Sequence, residues 1–183
     1  CKDHQEDRCH ADKIIQDQIT TMSSKKIIFI QPPVSLGEIY GDLAKVGAVS
    51  PPLNLLLLAA IVREHGYEPR IIDAPALGIG YETVVRLVRE SETRFVSITA
   101  MTPHIMQAGK LAEMIKHQCR DSVILLGGAH ITAAPEETMN RFPVIDHGFI
   151  GEADRSLPEF LTAVSNKEQG REIKGIISRT DSG

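Results

Sequence analysis

From Lys25 onward the chain alternates short aliphatic runs with longer stretches whose apolar positions recur at helical spacing. KKIIFI (25–30) reads as a first strand, stopped by Gln31-Pro32-Pro33. PPLNLLLLAAIVREHGYE (51–68) reads as a helix, with prolines suited to its first turn and Gly66 to its C-terminal cap. Its middle is apolar nearly all round, which predicts burial on more than one side. PRIID (69–73) is a second strand, and 81–90 a helix with Val84, Val85, Leu87 and Val88 inward. RFVSIT (94–99) is a third strand, followed by a helix over 103–117 that carries Ile105, Met106, Leu111, Met114 and Ile115 at helical spacing. SVILLGG (122–128) is a fourth strand running into a glycine pair. A short helix over 135–141, a fifth strand VIDHGFIG (144–151), a helix over 157–164 and a final strand IKGIISR (173–179) complete the pattern.

Strand runs this short and this apolar suit a sheet covered on both faces, and their alternation with helices predicts parallel pairing. The expected fold is α/β: a doubly wound, mostly parallel five-stranded sheet in a three-layer sandwich. Right-handed crossovers leave few topologies, of which the flavodoxin-like strand order fits best. The first 24 residues are polar and charged, and the first methionine is Met22. Residues 1–24 are therefore expected to be a disordered leader or tag, 25–170 the α/β domain, and 171–183 the start of a connector to a further C-terminal domain.

Composition narrows the function classes. A net charge of -4 gives no basic patch for nucleic acid, and only 4% of residues are aromatic, too few for a base-stacking surface. The longest apolar run, 55–62, is too short to span a bilayer. No secretory signal opens the chain. Cys1, Cys9 and Cys119 are odd in number and show no paired spacing, which fits a reducing, cytoplasmic setting rather than a disulfide framework. Cys1, His4, Cys9 and His10 have the spacing of no usual zinc site.

In an open parallel sheet, ligands bind beyond the carboxyl ends of the strands. The loops at that edge are rich in Gly, Pro and small or hydroxylated residues, whereas SETR (91–94) and KHQCRD (116–121) at the other edge are plain polar turns. Ser97 and Thr99 alternate along the third strand and so share a face near its carboxyl end. They either bond a ligand or pack and bond to backbone. Gly127 and Gly128 allow a sharp turn or a close ligand approach. Gly151-Glu152 precede a helix, where the carboxylate meets a ligand or where Asp154 caps the helix. No G-x-G-x-x-G or P-loop lysine is present, which weighs against a flavodoxin-like mononucleotide binder.

In QPP after the first strand, PPLNLLLLAAIVREHGYE, IIDA, VSITAMTP, LLGGAHITAAPEET and FIGEAD, the sequence resembles the cobalamin-binding domain that precedes the barrel of many radical S-adenosylmethionine enzymes. The resemblance runs from residue 25 to about 165. It implies a corrinoid across the strand ends with its nucleotide tail in a cleft. Its lining would be Gln31, Pro32 and Pro33 after the first strand, Ser97 and Thr99, Met101 and Thr102, Gly127 and Gly128, His130, and Gly151 with Glu152. A side chain at Gly128 is expected to occupy the space of the tail.

The resemblance also implies a C-terminal radical S-adenosylmethionine barrel as partner, holding S-adenosylmethionine and a 4Fe-4S cluster outside this chain, with methyl transfer or ring formation as the reaction. Two departures stand beside it. Related mutase and methionine-synthase modules carry Asp-x-His-x-x-Gly after the first strand, but Gln31 to Gly37 here contain no histidine. The cysteines here cannot form the C-x3-C-x2-C set of the cluster. A corrinoid-free Rossmann-like scaffold or interaction domain therefore stands as the alternative function.

Overall fold

The computed structural model describes residues 25–35, 37–38, 50–166, 168 and 171–179. The leader expected over 1–24, with Cys1, His4, Cys9 and His10, lies outside the described residues. The strands are β1 (Lys26–Gln31), β2 (Glu68–Asp73), β3 (Phe95–Thr99), β4 (Val123–Gly127), β5 (His147–Phe149) and β6 (Ile176–Ser178). The helices are α1 (Leu53–Glu64), α2 (Ala74–Leu77), α3 (Tyr81–Ser91), α4 (Ile105–Gln118), α5 (Ala129–Ala133), α6 (Pro135–Arg141) and α7 (Ser156–Ser165), with a 3-10 turn at Thr102–His104. No described helix is long and apolar enough to cross a membrane.

The described strands form one sheet in the order β2-β1-β3-β4-β5-β6. Strands β1 to β5 are parallel, in the doubly wound order expected from the sequence. The final strand expected over 173–179 is present as β6, which pairs antiparallel with β5 and so adds a sixth strand to the expected five-stranded sheet, within the stretch read as a connector. After α7 the chain passes Arg171, which pairs with Glu159 and Glu168, and turns at Gly175 with φ of 84°. The Ile150 N–H donates to the Gly175 carbonyl at 2.8 Å, so β6 starts at the carboxyl end of β5 and runs back down the sheet.

Strand β5 is shorter than the expected 144–151. The Asp146 carboxylate accepts from the Ile124 N–H at 2.7 Å and from Lys116 Nζ at 2.8 Å. A side chain thus takes the donor that a ladder residue would take, and strand pairing begins at His147.

Successive strand residues feed two separate cores, as the two-residue period of a strand requires. Ile28, Ile30, Val96, Ile98, Ile124 and Leu126 face one way, onto Val84, Val85 and Val88 of α3 and Ala108, Leu111, Ala112 and Ile115 of α4. Ile27, Phe29, Phe95, Leu125 and Phe149 face the other way, onto Leu55, Ala59 and Val62 of α1 and Leu157, Phe160 and Leu161 of α7.

Helix α1 does not have the several-sided burial expected of it. It lays Leu55, Ala59 and Val62 on the sheet, while Leu53, Leu56 and Leu57 are 73%, 45% and 55% exposed. The helix covers one face of a sheet, and that contact requires only a stripe three or four residues apart. The leucines of its remaining circumference meet no described neighbour that buries them.

Candidate cofactor cleft at the carboxyl edge

On the α1/α7 face the large side chains of β3 and β4 stop short of the carboxyl edge, while Phe149 of β5 continues to it. Along β3 that face carries Phe95, then Ser97, then Thr99; along β4 it carries Leu125, then Gly127. With small residues on β3 and β4 in the upper half, a cleft of about 420 Å3 opens between α1 and the approach to α7. Ligand sites commonly occupy about 300 to 1,000 Å3. Ser97, Thr99 and Gly127 form the floor of this one, Leu57 and Leu58 of α1 one wall, and Gly151, Glu152 and Asp154 the other.

The glycine pair divides its labour. An added Cβ at Gly127 would meet nothing within 4 Å, so this residue keeps the floor open. Gly128 has φ of 104° and ψ of -177°, a region essentially reserved for glycine. Its Cβ would lie 2.5 Å from the Ala100 carbonyl oxygen and 2.9 Å from the Ala100 nitrogen. A side chain at Gly128 therefore strikes the Ala100 backbone, and it also stands 3.0 Å from Thr99 Oγ1 on the cleft floor. Gly128 shapes the turn, and Gly127 provides the room.

The turn is held by hydrogen bonds. The Ala100 N–H donates to the Gly127 carbonyl at 2.9 Å, and the His130 N–H donates to the Ala100 carbonyl at 3.2 Å. The Thr132 hydroxyl donates to the Gly128 carbonyl at 3.0 Å and accepts from the Gly151 N–H at 2.9 Å. It joins the turn after β4 to the turn after β5, the two that frame the cleft. Asn54 in α1 donates from Nδ2 to Thr99 Oγ1 at 3.2 Å, which ties the helix wall to the floor.

The structure divides the residues expected at the site into two groups. Ser97, Thr99, Gly127, Gly128, Gly151 and Glu152 line one cleft. Gln31, Pro32, Pro33, Met101, Thr102 and His130 stand along the same sheet edge outside it. Gln31 ends β1, with Pro32 buried behind it and Pro33 half-buried. Met101 is 61% exposed, and His130 Nδ1 lies 3.3 Å from Thr102 Oγ1. Asp154 does not cap α7: its Oδ1 accepts from the adjacent Arg155 N–H at 2.9 Å, and Arg155 holds the cap position.

Two further residues of the cleft, Asn54 and Thr132, are not among those the sequence pattern points to. Asn54 has a signal, as the one polar residue within LNLLLL. Thr132 has none beyond its place near the glycine pair.

The loop after β1 is fastened separately. Ser35 and Glu38 exchange hydrogen bonds as a capping box: the Ser35 N–H donates to Glu38 Oε2 at 2.8 Å, and the Glu38 N–H donates to Ser35 Oγ at 3.2 Å. Gln107 Nε2 of α4 donates to Glu38 Oε1 at 3.0 Å. The Ser35 N–H above all, with Gln107, pulls the Glu38 pKa down to about 2.

A doubly wound sheet with a cleft at its carboxyl edge, floored by small residues and turned by paired glycines, defines a cofactor-binding α/β domain. Residues 41–161 match the B12 binding domain, and the chain belongs to that family. The uncharacterized methyltransferase PH0819 of Pyrococcus horikoshii is 32% identical over 156 residues, covering 85% of this chain and 32% of that protein. The anaerobic magnesium-protoporphyrin IX monomethyl ester cyclase of Cereibacter sphaeroides is 25% identical over 155 residues, covering 82% of this chain and 24% of that protein. The chain thus spans a third or less of these relatives.

The fold is shared with the radical S-adenosylmethionine methyltransferase TsrM from Kitasatospora setae, solved with cobalamin and a 4Fe-4S cluster bound. That likeness has a TM-score of 0.71 at 19% identity and covers 87% of this chain and 28% of that one. It is shared also with the cobalamin-dependent S-adenosylmethionine radical enzyme OxsB, with a TM-score of 0.69 at 15% identity, covering 88% of this chain and 22% of that one.

Proposed function

We propose that the chain binds cobalamin along the carboxyl edge of its sheet, with the nucleotide tail in the cleft between α1 and α7. The observation that carries this reading is the open floor at Gly127, between strands β3 and β4 whose large side chains on that face end at Phe95 and Leu125. Ser97 and Thr99 supply hydroxyls there, and Leu57, Leu58 and Phe149 supply apolar contact. The rim supports the same reading. The large apolar side chains exposed among the described residues are Leu53, Leu56, Leu57, Leu77, Met101 and Met106. Leu53, Leu56 and Leu57 stand in the first half of α1, Leu77 ends α2 after β2, and Met101 and Met106 follow β3, all on connections that leave the carboxyl ends of strands, the edge where a corrin ring would lie.

Cobalamin, when bound, supplies a cobalt centre for group transfer or radical chemistry. The residues of this chain bind and orient it. In this reading the domain serves a larger enzyme, whose radical S-adenosylmethionine barrel holds S-adenosylmethionine and a 4Fe-4S cluster and carries out methyl transfer or ring formation. A relative named as an uncharacterized methyltransferase and one named as a cyclase support those two outcomes. The exposed leucines of α1 also suit the alternative, a corrinoid-free scaffold that docks another domain.

Equilibrium dialysis against cobalamin separates the two. The chain should retain cobalamin, and Gly127→Leu should weaken retention by about a hundredfold or more while the protein still unfolds cooperatively. A folded wild-type chain that retains no cobalamin leaves the scaffold reading.

A further inference from the structure

The wall of the cleft contains one polar side chain that the sequence pattern does not require. Leu53, Leu55, Leu56, Leu57 and Leu58 surround Asn54, and an asparagine is a poorer helix former than leucine. Asn54 lines the cleft and reaches across it to Thr99. Thr99 is 9% exposed, so its hydroxyl needs its partners. A hydroxyl carries one proton and two acceptor lone pairs. With Asn54 Nδ2 donating to Thr99 Oγ1, one lone pair is occupied and the proton of Thr99 stays free to donate. Ser97, two residues earlier on the same face, lines the same floor.

We infer that Asn54 is a positioning residue for the corrinoid tail: by donating to Thr99 it directs the Thr99 hydroxyl proton at an acceptor atom of the nucleotide tail. This rests on the proposed cobalamin binding and adds to it. The domain then reads the tail as well as the ring, and the discrimination depends on a helix residue that need not itself touch the ligand.

The test compares cobalamin with cobinamide, a corrinoid that keeps the ring and lacks the nucleotide tail. Asn54→Leu removes the donor and continues the apolar run of the helix. Asn54→Asp keeps the shape, but its carboxylate accepts and captures the Thr99 proton. Both variants should bind cobalamin roughly five- to tenfold more weakly than the wild type, with cobinamide affinity unchanged. Thr99→Val should cause a similar loss, and adding Asn54→Leu to it should cause little more.

Damage to the fold would lower both affinities together. Equal losses for the two ligands, unchanged cobalamin affinity, or wild-type affinity in Asn54→Asp would each overturn the inference. Wild-type protein that binds both corrinoids equally removes the role of Asn54 and leaves corrinoid binding standing. Wild-type protein that binds neither removes both.

Discussion

The two faces of the sheet are made by alternate residues of the same strands, yet on β3 and β4 one is filled from edge to edge and the other only halfway. Toward α3 and α4, β3 and β4 present Val96, Ile98, Ile124 and Leu126 without a gap. Toward α1 and α7 the same two strands present Phe95 and Leu125, then Ser97, Thr99 and Gly127. The first face is built for stability. On β3 and β4 the second gives up apolar contact toward the carboxyl edge and gains a cleft, so a packed core and an open cleft are set by neighbouring positions one residue apart.

The comparison can be tested by substitutions placed on opposite faces. The largest effect belongs to the filled face. Leu111 is fully buried against it, and Leu111→Ala should cost about 2 to 5 kcal/mol in denaturant unfolding. Cobalamin affinity of the fraction that stays folded should be unchanged. A loss of affinity as large as the loss of stability would show that the faces are not independent.

A matched pair of glycines comes next. A Cβ on Gly109 of α4 would overlap the Phe142 ring, and that ring is itself buried. Gly109→Ala should therefore destabilise by about 1 to 3 kcal/mol through overpacking. A Cβ on Gly127 meets open space, so Gly127→Ala should leave stability within about 0.5 kcal/mol of the wild type. Equal thermal shifts in the two variants would break the distinction between the faces.

The smallest effect concerns the filled lower half of the cleft face. The His147 ring packs 4.6 Å from that of Phe160, and its Nδ1 lies 2.8 Å from Ser178 Oγ. Burial pushes its pKa below the ordinary histidine value, against the pull of Asp146 and with the push of Lys116. The folded state thus favours the neutral ring. Its contribution is complete above the unfolded value of about 6.5 and is lost as pH falls through that value toward the lower folded one. His147→Asn should flatten the stability profile in that window. The Glu38 contribution lies in a separate range, lost as pH falls from 4.5 toward about 2.

The strand order is legible in the sequence because short apolar runs alternate with helices, and right-handed crossovers leave such an alternation few arrangements. Ser97 and Thr99 are legible for a related reason: alternation along a strand assigns them a common face from residue order alone. Asn54 and Thr132 are not, since their partners Thr99 at the end of β3 and Gly151 after β5 are distant in the chain and only the folded sheet brings them near. The purpose of Gly128 is hidden because a sequence shows that glycine is required without showing whether backbone or ligand requires it. The burial of α1 is hidden because apolarity all round a helix shows what the helix could bury and says nothing of what stands beside it.

Strand β2 ends the sheet beside β1, and its second residue is Pro69, in register with Ile27. The Glu68 N–H points inward, donating to the Lys25 carbonyl at 2.8 Å, so position 69 is one whose N–H would point outward. Proline has none to offer there, and exposed Glu68 and Arg70 stand on either side. A neighbouring chain that tried to extend the sheet would find a broken ladder and two charges. The edge thus carries its own guard against sheet-to-sheet polymerisation.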